Sequence, residues 1–177
     1  AGVDGGNVML TWQSSAESDL AGYQVERAGA ESEEWIRLTA DPLAAVTYVD
    51  SGLEDGAVRY RVLAQDLLEN LSAPSSEAPA LVYTPRLRQP YTPTDSRLVT
   101  LVGRGPVLAS LEGTIANTAG TTALPALPTD ATGGFLLEDL ALALGDNALT
   151  VRLVDGAANR SKPATVFVWS GDRPTAP

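Results

Sequence analysis

The stretch "VRYRVLAQDLLENLSAP" (residues 58–74) alternates and then turns. Val58, Tyr60, Val62 and Ala64 fall on one side, and Arg59, Arg61 and Gln65 on the other, a period of two that predicts a half-buried β-strand. The strand runs into Asp66, Asn70, Ser72 and Pro74, residue types that favour turns. Later in the chain "NALTVRLVDGAANRSKP" (147–163) repeats the arrangement. Leu149, Val151 and Leu153 alternate, and Asp155, Asn159, Ser161 and Pro163 answer to Asp66, Asn70, Ser72 and Pro74. A strand and turn of one design, met once in each half of 177 residues, predicts two domains.

The remaining runs fit that frame. In "NVMLTWQ" (7–13) Val8, Leu10 and Trp12 share a face, and in "GYQVERA" (22–28) Tyr23 and Val25 do. "RLVTLVG" (97–103) and "ASLEGTIA" (109–116) are strand-like. Short strands punctuated by turn clusters indicate antiparallel sandwiches, so the expected fold class is all-β. "FLLEDLALAL" (135–144) is two-faced: Leu140, Leu142 and Leu144 alternate as in a strand, whereas Leu137, Leu140, Ala141 and Leu144 would line a helix. The flanking "TGG" and "GDN" turns favour two strand segments. Between the halves, "TPRLRQPYTPTDS" (84–96) carries Pro85, Pro90 and Pro93 and reads as a stiff extended connector. The expected organisation is a sandwich over 1–84, a Pro-rich linker over 85–96, a sandwich over 97–170, and a linker over 171–177 toward a further domain.

Composition narrows the function classes. With no Cys and no His, disulfides, thiolate nucleophiles and imidazole chemistry are all removed. The net charge is −10, and all of it lies in residues 1–84, where fourteen acids face four arginines. Such a surface repels phosphate backbones, so nucleic acid is not an expected partner. No apolar run approaches the 18 or so residues of a membrane helix, and membrane insertion is not expected. Serine chemistry would lack its imidazole base, and carboxylates such as Glu17 with Asp19, or Glu138 with Asp139, sit in exposed-looking turns. The chain reads as non-enzymatic.

At this point the first half resembles a fibronectin type III domain over about residues 3–84. The likeness is carried by Trp12, "DLAGYQVER" (19–27), "TYVDSGL" (47–53) and "YRVLAQD" (60–66). It implies a tyrosine corner at Tyr60, with the hydroxyl bonding back to the preceding loop. The interval from Leu53 to Tyr60 is about a residue longer than that pattern, and the first strand is short. The second half resembles bacterial Ig-like domains over about 97–170, through "VTLVG" (99–103), "TDATGGF" (129–135), "LALGDNALTVRLVDGAANRSKP" (142–163) and "VFVW" (166–169).

The repeated motif admits three readings. As a turn, its Asp accepts backbone N–H groups, its Asn takes a left-handed φ, its Ser bonds locally and its Pro opens an edge strand. As a calcium site, Asp66 and Asn70, or Asp155 and Asn159, would supply oxygens to an ion that wants six to eight. As a modification site, "NLS" and "NRS" are both N-x-S sequons. The turn needs no ligand and is the expected role, with no cofactor required. "TDATGGF" is likewise expected to be a hairpin turn at Asp130. Of the aromatic residues, Trp35, Tyr91 and Trp169 are not claimed by a core stripe and are the candidate ligand contacts. By resemblance, the expected role is a non-catalytic spacer or adhesion module of a secreted or cell-surface bacterial protein. Its partners would be the other domains of its own longer chain and a further protein. The rival is an accessory carbohydrate-binding pair of a polysaccharide-degrading enzyme.

Overall fold

The alternating run at Val58 becomes the strand Gly56–Asp66 in a computed structural model that describes residues 1–171. Two units divide the chain, Ala1–Tyr83 and a second from Thr84. The first contains β1 (Gly2–Asp4), β2 (Asn7–Thr11), β3 (Leu20–Gly29), β4 (Ile36–Arg37), β5 (Thr47–Asp50), β6 (Gly56–Asp66) and β7 (Ala78–Val82). The second contains β8 (Arg86–Arg88), β9 (Leu98–Arg104), β10 (Ser110–Asn117), β11 (Gly120–Ala123), β12 (Gly134–Ala141), β13 (Gly145–Val154) and β14 (Ala164–Ser170). Among the described residues the architecture is all-β, with fourteen strands in four antiparallel sheets.

Both units are wired alike. In the first, a sheet of order β1-β2-β5 accompanies one of order β4-β3-β6-β7; in the second, β8-β9-β12 accompanies β11-β10-β13-β14. Position for position these are the same seven-strand order. This wiring gives the second unit no strand order of its own to set it apart as Ig-like.

In the first unit the core joins Val3, Val8 and Leu10 from one sheet to Val25, Tyr60 and Val82 from the other, with Trp12 partly buried against them. The Tyr60 hydroxyl differs from the expected corner. It donates to Asp50 Oδ2 at 2.8 Å, and the Arg27 guanidinium donates to the same oxygen at 2.7 Å. Asp50 lies at the end of β5 and is buried, and the two donors satisfy its Oδ2 there. A side chain on the facing sheet thus replaces the loop backbone as the acceptor.

In the second unit, "FLLEDLALAL" is neither a helix nor two separate segments. It contributes one strand, β12, with a bulge between Leu137 and Leu140, where Asp139 takes φ 54°. The extra residue returns Leu140 and Leu142 to the core after Phe135 and Leu137, and leaves Leu144 exposed. Phe135 sits directly across from Gly103 on β9, and its ring occupies the space that a side chain at 103 would need. Asn147 is fully buried and fully engaged. Its Oδ1 accepts from Ala143 N at 2.9 Å and Asn117 Nδ2 at 3.1 Å, and its Nδ2 donates to the carbonyls of Ala143, Gly145 and Val168.

The segment expected to be a stiff extended connector is built into the second unit. Arg86–Arg88 is an edge strand paired with β9, opposite Arg104, Gly103 and Val102. Farther along, Thr94 N donates to Trp169 O, Gly171 N to Thr94 O, and Gln89 Nε2 to Phe167 O. Prolines at 85, 90 and 93 are compatible with this because they flank a three-residue edge strand and need no ladder donor. Most of the expected C-terminal linker (172–177) lies outside the described residues.

Candidate functional site

The repeated motif closes both terminal hairpins with one set of hydrogen bonds. Between β6 and β7, Asp66 N donates to Asn70 O, and Glu69 N to Asp66 O, each at 3.1 Å. Asp66 Oδ1 accepts from Leu68 N at 2.9 Å and Asn70 N at 2.8 Å, while Oδ2 accepts the Asn70 side-chain amide at 2.8 Å. Between β13 and β14 the copy is faithful. Asp155 N donates to Asn159 O at 3.1 Å and Ala158 N to Asp155 O at 3.0 Å. Asp155 Oδ1 accepts from Ala157 N and Asn159 N, and Oδ2 from Asn159 Nδ2, all at 2.9 Å. This is a type I turn followed by one left-handed residue. That residue is Glu69 (φ 67°) or Ala158 (φ 64°), the position before the asparagine, so the asparagine itself does not take the left-handed φ expected of it.

A third turn of this design precedes β12. Asp130 N donates to Gly134 O at 2.8 Å and Gly133 N to Asp130 O at 3.0 Å, with Gly133 at φ 78°. Asp130 Oδ1 accepts from Thr132 N at 2.7 Å, Gly134 N at 2.9 Å and the Thr132 hydroxyl at 2.8 Å. The sequence marks a turn here but hides its kinship, because no Asn, Ser or Pro follows. The shared signal is only an Asp with a residue three places on that must be left-handed.

The serines act as strand extensions. Ser72 N donates to Ala64 O at 2.9 Å, and Ser72 Oγ accepts from Ala64 N at 3.0 Å. Ser161 makes the same pair with Leu153, at 2.9 Å in both directions. Each hydroxyl oxygen stands where a carbonyl of a regular ladder would, and its proton goes to the next carbonyl, Ala73 O or Lys162 O, at 2.8 Å. Pro74 and Pro163 follow without a backbone donor to satisfy.

The electrostatics follow from these bonds. Asp66 is held below its ordinary carboxylate value by the Asn70 side-chain amide first, then by the N–H groups of Asn70 and Leu68. The Thr132 hydroxyl, with the Gly134 and Thr132 N–H groups, does the same for Asp130. For Asp155, partial desolvation pushes upward but is outweighed by the Asn159 side chain and the N–H groups of Asn159 and Ala157. In both motif copies the carboxylate oxygens face N–H donors within their own turn. Calcium would have to compete with those donors for a set well short of six oxygens. Among the described residues there is no cluster of three or more acidic side chains suited to a metal ion. The Asn70 and Asn159 amides of the two sequons are engaged with Asp66 and Asp155.

The three aromatic candidates do not form one surface. Trp35 belongs to the first unit and is half-buried under two guanidinium groups, Arg59 at 5.1 Å and Arg61 at 4.1 Å from the ring centre. Tyr91 is 82% exposed in the second unit. Trp169, on β14, is half-buried and its ring lies over Gly171. Phe167, which sequence reasoning passed over, is 66% exposed two residues before Trp169 and shares its outward face. Its signal was the alternation of "VFVW", in which Val166 and Val168 point inward.

Fold and site together define a class: paired seven-strand antiparallel sandwiches, the architecture that includes fibronectin type III domains. No family model and no curated protein matches the sequence. Among solved structures, the neighbours include fibronectin type III modules and tandem repeats of an adhesion protein. The fibronectin(III)-like modules of Clostridium thermocellum CbhA are 14% identical, over 96% of this chain and 90% of that one, with a TM-score of 0.37. A two-domain fibronectin type III segment of chicken tenascin is 13% identical over 96% and 95%, at 0.40. A tetra-tandem repeat from the extending region of a large adhesion protein is 15% identical over 84% and 42%, at 0.39. Among the described residues, no helix is long and apolar enough to cross a membrane.

Proposed function

We propose that this pair of sandwiches is a non-catalytic spacer or adhesion module of a larger secreted or surface-exposed bacterial protein. One observation carries the reading: the polar residues that recur along the chain are spent on closing hairpins, three times by one turn, rather than converging on a ligand. Such a module holds other domains of its chain apart and makes protein contacts along its sides. The test is replacement, in the full-length protein, by an unrelated sandwich pair of the same length. Retained activity and adhesion are expected; loss of either with normal expression would overturn the spacer role.

A second reading has its own observation. Phe167 and Trp169 place two aromatic rings on one outward strand face, about 7 Å apart along β14. That arrangement supports an accessory carbohydrate-binding role. A glycan array decides it: binding lost in Phe167→Ala with Trp169→Ala would favour this reading over the spacer.

A further inference from the structure

Two surfaces carry apolar and charged side chains that their own units do not use. The first is the outer face of the β8-β9-β12 sheet. Register places Arg88, Val102 and Leu136 side by side across the three strands, with Arg86 beside Arg104 in the next row. Leu98 and Leu136 are about half exposed, and Tyr91 overhangs an open groove of about 390 Å³ lined by Arg88, Leu98, Thr100 and Val102. Among the described residues, Arg86 and Arg88 have no carboxylate partner, whereas in the first unit Arg27, Arg59 and Arg61 all do. The Arg86, Arg88 and Arg104 end of this face is thus basic and part-apolar in a chain of net charge −10, while Glu138 and Asp139 are exposed farther along β12 on the same side.

The second surface is the hairpin tip between β6 and β7. Leu67 and Leu68 are 71% and 82% exposed, and Leu71 stands beside them at 49%. The same turn elsewhere carries Gly156 and Ala157, or Ala131 and Thr132, at these two positions, so its geometry does not ask for leucine. The tip is tied down, because Leu67 N donates to Asp19 O at 2.9 Å. Asp19, Asp66 and Glu69 give it an acidic rim.

Charge and polarity match at one end of the face: leucines rimmed by carboxylates on the tip, and an apolar strip with guanidinium groups of Arg86, Arg88 and Arg104 at its end on the sheet. We propose that the leucine tip of the first unit docks on the outer β8-β9-β12 face of a second copy of the chain. The contact is heterologous, with a different patch used on each copy, so it permits growth beyond a dimer. Apolar burial supplies the attraction, and the charged rim sets orientation and makes the association salt-sensitive.

Sedimentation equilibrium of the full chain tests this, with a tip variant (L67S/L68S) and a face variant (R86E/R88E), each checked for an unchanged circular dichroism melt. The wild type should show mass rising with concentration at low salt and less so at high salt. Each variant alone should associate about tenfold more weakly or worse. An equimolar mixture should recover a mixed dimer, since the face variant still offers a tip and the tip variant still offers a face. A wild type that stays monomeric at millimolar concentration would overturn the proposal. So would variants that associate like the wild type, or a mixture no stronger than its parts.

Discussion

At Asp50 one carboxylate oxygen receives both the Tyr60 hydroxyl and the Arg27 guanidinium, inside the first unit's core. Tyr60→Phe removes one bond and leaves Arg27 in place, a loss of about 1 kcal/mol; Asp50→Ala strands two donors and costs about 2–3 kcal/mol. Urea denaturation of the two variants should rank them in that order. Burial first, and the Asp50 hydrogen bond second, raise the Tyr60 phenol above its ordinary value near 10. Because the folded state holds that proton more tightly than the unfolded chain, its contribution is complete below about pH 10 and is lost as pH rises beyond. A stability profile between pH 8 and 12 should therefore fall in the wild type and flatten in Tyr60→Phe. A second residue-scale prediction concerns the left-handed turn position. Ala158 bears a Cβ there, while the third turn uses Gly133. Ala158→Gly should stabilise the second unit by up to about 1 kcal/mol. Gly133→Ala should destabilise it, because the added methyl would strike the Gly105 carbonyl.

Among the elements, β12 shows why some of the chain was legible and some was not. Alternation along β13 could be read directly, since its burial keeps a period of two from Asn147 to Leu153, whereas in β6 Leu63 is also buried, on the face opposite Tyr60. In β12 the bulge at Glu138 and Asp139 sets Leu137 and Leu140 three apart yet both inward, and that spacing imitates a helix. The edge strand β8 was hidden for another reason: three residues between prolines carry no period at all. Repetition of Asp, Asn, Ser and Pro revealed two turns, but the third shares only the Asp and a backbone requirement. Phe167 was legible in "VFVW", and its exposure follows from the inward valines on either side. Packing across strands is not written in local pattern, as the Phe135 ring over Gly103 shows. Gly103→Ala should evict that ring from its place and cost about 1–3 kcal/mol, measurable as a lower midpoint for the second unit. The three turn aspartates act together on pH. Their depressed values give stability that is present above the ordinary carboxylate range and is lost as pH falls through the folded values. Asp66→Asn should blunt the acid loss of the first unit, and Asp155→Asn that of the second, followed by melts between pH 2 and 6.

For the whole molecule, two units of one wiring imply that each fragment's boundaries matter. A fragment of residues 97–177 lacks β8 and the 89–94 bonds to β14, so it should melt below a fragment of residues 84–177; equal midpoints would mean that the edge strand adds nothing. We expect residues 1–84 to melt as an independent transition. The recurring turn has a further consequence, for the order of folding. Its bonds span only four residues, so closing it costs little chain entropy, and hairpins of this kind form within microseconds. In each sandwich, β6 with β7 and β13 with β14 can pair before any sheet meets its counterpart, so two nuclei of the same design would start independently. Acid should then slow refolding of both sandwiches in parallel, by weakening the one carboxylate on which each nucleus depends.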